Sequence, residues 1–213
     1  MNKAVIFDVD GTLWDAVSVI TESWNHTISR FPEVKSTITE EQMRGMMGKT
    51  MDEFTALFPE VESTRAKEIL ACCSEEEISY LQTHPGKLYP GITEMLALLH
   101  KEYDLYVVSN CQEGYIEALL QACDLGKYFV DHECFGHTGQ GKAKNIRVLM
   151  QRYDIDKAIY IGDTQMDYEA TLEANIPFLF VSYGMGMAEN RRFEAKNPSE
   201  IPDVIRKMRY FSL

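Results

Sequence analysis

The chain is 213 residues long, 45% hydrophobic and 25% charged, which suits one globular domain or a core carrying one insertion. Its formal net charge of −12 at pH 7 argues against nucleic acid or an anionic membrane as the main partner, and an anionic ligand would need local cations to hold it. No apolar run is long enough to span a bilayer, no basic-then-apolar leader opens the chain, and the five cysteines (Cys72, Cys73, Cys111, Cys123 and Cys134) lack metal-ligand spacing and read as reduced thiols of a cytoplasmic protein, monomer or homodimer.

The first predicted element is a short apolar strand over 3–9, and Gly11 then lets the backbone turn out of it. From residue 15 to 85 the pattern turns helical. Val17, Ile20, Trp24 and Ile28 recur at helical spacing up to a break at Phe31-Pro32. Thr39 with Gln42 reads as a capping box opening the next helix, which Gly45 and Gly48 interrupt. A short helix over 50–58 ends at Pro59, and a longer acidic helix follows over 63–82 with Ile69, Ile78 and Leu81 among its apolar positions. No convincing strand lies in this stretch, so it reads as a separate helical domain inserted into the rest. Tyr89-Pro90-Gly91 marks the return, into a helix over 92–102.

Beyond it come a buried strand over 105–108 ending at Ser109-Asn110, a helix over 113–123, a less distinct strand over 129–135 and a helix over 143–153. A strand over 158–161 ends at Gly162-Asp163-Thr164, a helix covers 166–174, and a last strand covers 178–181. Alternating strands and helices predict an α/β fold: a Rossmann-like parallel sheet with helices on both faces, formed by 1–14 and 86–213, beside a small helical domain over 15–85. In such sheets ligands bind beyond the carboxyl ends of the strands. Three of these ends carry polar groups: Asp8 and Asp10, Ser109 and Asn110, and Asp163 with Asp167 following.

Asp8 and Asp10 would point to opposite faces if the strand ran on. Because Gly11 turns the chain, both can converge beyond the strand tip. Unpaired acids at the end of a buried strand are costly, and a site holding a cation and an electrophile would give them a purpose. Asp-x-Asp-Gly by itself also occurs in calcium loops, but those need more acids at alternate positions.

In this order the motifs resemble those of the haloacid dehalogenase superfamily, in the branch with a helical cap inserted after the first motif. They are Asp8-Val9-Asp10-Gly11-Thr12, Ser109 after Val107-Val108, a lysine at a helix start, and Gly162-Asp163-Thr164 with Asp167. The resemblance covers nearly the whole chain and is closest to phosphoglycolate phosphatase-like members. It implies a magnesium-dependent phosphatase acting on a small phosphorylated metabolite through a phosphoaspartyl intermediate. Asp8 would be the nucleophile and Asp10 the acid that protonates the leaving oxygen and then takes a proton from water. Mg2+ would be held by Asp8, the backbone carbonyl of Asp10, and Asp163, with Asp167 supporting from one helical turn away. Lys142 would offset the negative charge, with Lys144 competing for that role, and Ser109 and its neighbour Asn110 would bind a phosphoryl oxygen.

Other readings stay open. Ser109 and Asn110 also suit a strand-end cap, and Asp163 a helix N-cap. Lys49, after Gly45-Met46-Met47-Gly48, could touch an anionic or hydroxyl-rich leaving group or could simply end a helix. The methionines Met43, Met46, Met47 and Met51 suit packing, or an adaptable wall over the substrate. Gly184-Met185-Gly186 reads as a loop, and the five histidines show no ligand spacing. A phosphomutase, or a binding protein that keeps the fold without the chemistry, is the alternative function. Closure is expected about hinges near Asp15-Ala16 and His84-Gly86.

Overall fold

Ala4 and Ile6 pack on one side of the first strand, Val5 and Phe7 on the other, and all four are fully buried. That alternation explains why the strand reads as an unbroken apolar run: both faces of the sheet are covered. The computed structural model describes residues 2–212. Its main sheet has six strands in the order β5-β4-β1-β6-β7-β8. They are β1 (Lys3–Phe7), β4 (Asp104–Ser109), β5 (Phe129–Cys134), β6 (Lys157–Gly162), β7 (Phe178–Val181) and β8 (Glu194–Ala195). Every pairing is parallel. The remaining strands, β2 (Trp14–Asp15) and β3 (Lys87–Leu88), form a separate antiparallel ribbon.

Strand β1 lies at the centre, with Phe7 opposite Val107 of β4 and Ile161 of β6. The chain therefore runs outward in both directions from β1, and the carboxyl ends of β4, β1 and β6 stand side by side at the switch point where ligands bind. Helices α4 (Ile92–Leu99), α5 (Tyr115–Ala122), α6 (Phe135–Thr138), α7 (Lys142–Arg152), α8 (Gln165–Ala174) and α9 (Ile201–Met208) accompany the sheet.

Residues between β2 and β3 are helical, as the periodicity predicts: α1 (Val17–Ile28), α2 (Glu40–Arg44) and α3 (Ser63–Thr83). Val17, Ile20, Trp24 and Ile28 form the buried stripe of α1, and burying each side chain of this size contributes about 1.5–3 kcal/mol. The capping box at α2 is present: Gln42 N donates to Thr39 Oγ1 at 3.2 Å and Thr39 N to Gln42 Oε1 at 2.9 Å. The helix expected over 50–58 is only a 3₁₀ segment, Glu53–Leu57. Apolar side chains of α1 and α3 join the same buried cluster as Val5, Phe7, Val107 and Ile161.

Strand β7 is not the last strand, because β8 pairs with it, and the amphipathic helix α9 follows. Two-residue strands carry no period that sequence alone can show. The β2–β3 ribbon escapes notice for the same reason; it ties the two chain crossings together beside the expected hinges.

Candidate active site

Gly11 sets the shape of the turn that follows β1. Its φ is +79°, and a Cβ there would lie 2.1 Å from Asp163 Oδ2, so a side chain is excluded twice over. The turn brings Asp8 against Asp163 and Asp167, whose carboxylate oxygens lie within 4.8 Å of one another. All three residues are at most 1% exposed. Asp8 N also donates to Ile161 O at 2.9 Å, fastening the tip of β1 to β6.

Lys142, the first residue of α7, is 4% exposed and reaches into this cluster. Its Nζ lies 2.9 Å from Asp8 Oδ1 and donates to Asp167 Oδ1 at 2.5 Å. Lys144 is exposed and bonds Gln140 Oε1 at 2.9 Å, so of the two lysines only Lys142 meets the acids. Asp167 is fully engaged, with Oδ1 on Lys142 and Oδ2 accepting from Thr164 N at 3.0 Å and Thr164 Oγ1 at 2.7 Å. It sits behind the site as a fixed anchor for the lysine.

Asp163 is held by a loop whose role sequence reading did not find. Met185 N and Gly186 N both donate to Asp163 Oδ2 at 2.8 Å. Gly184 is required for this approach, because a Cβ there would lie 2.3 Å from Gly11 O. Asp8 Oδ2 and Asp163 Oδ1 are left buried with no hydrogen-bond partner. Burial, followed by the charge of Asp167, pushes the carboxyl of Asp8 up to about 6 and that of Asp163 up to about 8, and in Asp8 the pull of Lys142 opposes the rise. Orphaned, crowded carboxylate oxygens of this kind are what a hard divalent cation takes as ligands, so the donor set fits Mg2+.

The Asp10 side chain stands apart from that cluster. Its Oδ1 accepts from Tyr115 Oη at 2.7 Å and from Trp14 Nε1 at 3.1 Å. Burial pushes its pKa up to about 7, while the bond from Tyr115 works in the other direction. Neither tyrosine nor tryptophan was singled out in the sequence, although Trp14 lies four residues after Asp10, within reach across the turn.

Ser109 and Asn110, at the end of β4, are 4% and 9% exposed. Asn110 Nδ2 donates to Gly48 O at 3.0 Å, which ties the sheet to the loop after α2. Lys49 follows in that loop, with Nζ 3.8 Å from Met46 Sδ. A cavity is lined by Asp10, Ser109, Asn110 and Lys49 together with Trp24, Glu77 and Tyr115. The expected site residues are thus brought to one place: Asp8, Lys142, Asp163 and Asp167 in the buried cluster, and Asp10, Ser109, Asn110 and Lys49 around the adjoining cavity. Glu77 and Gln112 were missed. Glu77 lies on the otherwise apolar stripe Ile69, Cys73, Leu81 of α3, and that interruption was a legible signal.

A parallel sheet that gathers three buried acids and a buried lysine at its switch point has the makings of an α/β enzyme's active site. The family model of haloacid dehalogenase-like hydrolases matches residues 5–181, and the chain belongs to that family. It is 26% identical over 197 residues to a phosphoglycolate phosphatase of Rhodospirillum rubrum, covering 86% of this chain and 81% of that one. It is 25% identical over 217 residues to a phosphoglycolate phosphatase of Photobacterium profundum, covering 94% and 91%. Among solved structures, a haloacid dehalogenase-like family protein from Streptococcus pneumoniae superposes with a TM-score of 0.81 at 22% identity, covering 96% of this chain and 98% of that one. CbbY from Rhodobacter sphaeroides, solved in complex with xylulose-(1,5)bisphosphate, superposes with a TM-score of 0.78 at 19% identity, covering 94% and 96%.

Proposed function

We propose that the protein is a magnesium-dependent phosphatase of small phosphate monoesters, working through a phosphoaspartyl intermediate. The observation that carries this is the pairing of Lys142 with a buried Asp8 whose second oxygen has no partner. Such a carboxylate is a nucleophile held ready beside a fixed positive charge.

Asp8 attacks phosphorus and the bond to the leaving oxygen breaks, giving an aspartyl phosphate. Asp10 gives its proton to that oxygen. A water molecule then attacks phosphorus, Asp10 recovers a proton from it, and phosphate leaves as Asp8 is restored. One side chain serves both steps because both N–H and O–H donors on Asp10 fall on Oδ1, leaving Oδ2 free for proton transfer. Its pKa near 7 suits a group that must give and take a proton near neutrality. Lys142 offsets charge on Asp8 and on the phosphoryl oxygens. Ser109, Asn110 and Lys49 bind the ester, Ser109 through its hydroxyl and Asn110 through the side-chain N–H that Gly48 does not take. Asp8 and Asp163, with the carbonyl of Asp10, would hold Mg2+, which supplies charge neutralisation between the carboxylates and the phosphate.

In this reading residues 1–14 and 86–213 are the core domain and 15–85 a cap that excludes water from the reaction. The free cysteines support a reducing, cytoplasmic setting. Phosphoglycolate, the substrate named for two relatives, is one candidate ester. The test is hydrolysis of para-nitrophenyl phosphate with Mg2+, comparing the wild type with Asp8→Asn. Turnover in the wild type and none in the variant is expected; equal turnover would remove Asp8 from the chemistry.

A further inference from the structure

Glu77 is a carboxylate buried in the cap-side wall of the active-site cavity with no cation beside it. It is 2% exposed. Among the described residues no Lys, Arg or His nitrogen is within ion-pairing distance of it. Its two oxygens each accept from a neutral donor: Oε1 from Gln112 Nε2 at 3.0 Å, and Oε2 from Trp24 Nε1. Both donors favour the ionised form, while burial opposes it and pushes the carboxyl up to about 7. An ionised carboxylate buried without a counter-charge is costly and calls for one.

The rest of the wall suits an organic cation. Trp24, Phe54 and Tyr115 line the same cavity as Glu77 and Asp10, and aromatic rings attract ammonium groups through their faces. Lys49 also lines the cavity, but it follows Gly48, whose carbonyl is tied to Asn110 at the phosphate end. A leaving group carrying a carboxylate would bring it into a cavity whose lining holds two acids, Asp10 and Glu77, against the single cation Lys49. One carrying a protonated amine would complete the pair that Glu77 lacks.

Resting on the phosphatase reading above, we infer that the substrate is the phosphate monoester of a small amino alcohol, with Glu77 as the residue that selects the amine. The reaction is unchanged: the phosphorus–oxygen bond to the amino alcohol breaks, and Asp10 protonates the departing oxygen.

The experiment measures kcat/KM, with Mg2+, for phosphoethanolamine, phosphoglycolate, glycerol 3-phosphate and para-nitrophenyl phosphate. Wild-type protein is expected to prefer phosphoethanolamine over phosphoglycolate and glycerol 3-phosphate by at least about tenfold. Glu77→Gln is expected to reduce that preference to about twofold or less. Preference for phosphoglycolate or glycerol 3-phosphate overturns the inference and leaves the phosphatase reading standing. A preference unchanged in Glu77→Gln removes Glu77 as its cause. No turnover of any ester, para-nitrophenyl phosphate included, overturns the phosphatase reading and this inference with it. The wild-type ranking decides the substrate class even where the variant does not fold.

Discussion

Lys142 Nζ lies 2.9 Å from Asp8 Oδ1, with the two side chains 3% and 1% exposed. The contact joins the start of α7 to the tip of β1, and it places a permanent positive charge against the proposed nucleophile. Burial lowers the pKa of Lys142, but the charges of Asp167 and Asp8 outweigh burial and raise it overall, so the lysine stays charged.

Lys142→Met should therefore lower kcat by about 10²–10³-fold, the usual effect of deleting one group that stabilises transition-state charge. Breaking a buried ion pair also destabilises by about 3–5 kcal/mol, so activity is compared per folded molecule, with folding followed by circular dichroism. Lys144→Met, altering an exposed residue, should leave kcat within about twofold. Equal loss in both variants would refute the assignment of the motif lysine.

Metal-free protein should lose stability as pH rises from about 5 to about 8. The folded pKa of Asp163 is raised from 3.8 to about 8 and that of Asp8 from 3.8 to about 6. Between these values the folded state binds more protons than the unfolded state, so the stabilising contribution is complete below the unfolded pKa and disappears as pH climbs through the folded one. Mg2+ competes with protons for the same oxygens. At 100 times its Kd it should raise Tm by about 5–10 °C near pH 8, and by less near pH 5. Differential scanning calorimetry with and without chelator checks both signs, and a Tm indifferent to Mg2+ at pH 8 would count against the metal site.

Much of this was legible because the chemistry-bearing residues follow their strands directly. Asp8, Ser109 and Asp163 stand at the ends of apolar runs, and apolar runs of four or more residues show up in sequence without help. Thr39 and Gln42 were legible as a cap because both partners lie within one turn. The missing parts depend on distance along the chain. Tyr115 meets Asp10 across 105 positions, and Gln112 meets Glu77 across 35. The backbone amides of Met185 and Gly186 that hold Asp163 have no side-chain signature at all. Lys142 and Lys144 look alike in sequence, since only the helix phase decides which one faces inward.

Solution scattering should show a smaller radius of gyration when a phosphate analogue and Mg2+ are added together. The helical segment leaves and rejoins the sheet at neighbouring points, Trp14–Asp15 and Lys87–Leu88, which are paired as an antiparallel ribbon. Two adjacent crossings permit a rocking motion about a single line, and closure of this kind expels water from a phosphoryl transfer. The Asn110–Gly48 bond at 3.0 Å is the contact that such a motion would make and break. Identical scattering in both states would argue for a fixed arrangement.

Tyr115→Phe should shift the alkaline limb of the pH–rate profile upward. The phenol donates to Asp10 Oδ1 at 2.7 Å, and this bond lowers a pKa that burial has pushed up to about 7. The sign follows directly: a donor to the ionised form stabilises that form, and its loss makes Asp10 hold its proton to higher pH. As the general acid, Asp10 must be protonated when the ester binds, so kcat/KM falls above its pKa. A hydrogen bond to a charged group is worth about 1.5–3 kcal/mol, or roughly one to two pH units. Trp14 Nε1 still reaches the same oxygen at 3.1 Å, which places the expected shift near the lower figure. The comparison uses para-nitrophenyl phosphate and an alkyl phosphate side by side. Para-nitrophenolate leaves without help from an acid, so the shift should be clear for the alkyl ester and small for the aryl one. An equal shift for both would mean that Tyr115 acts on another group than Asp10.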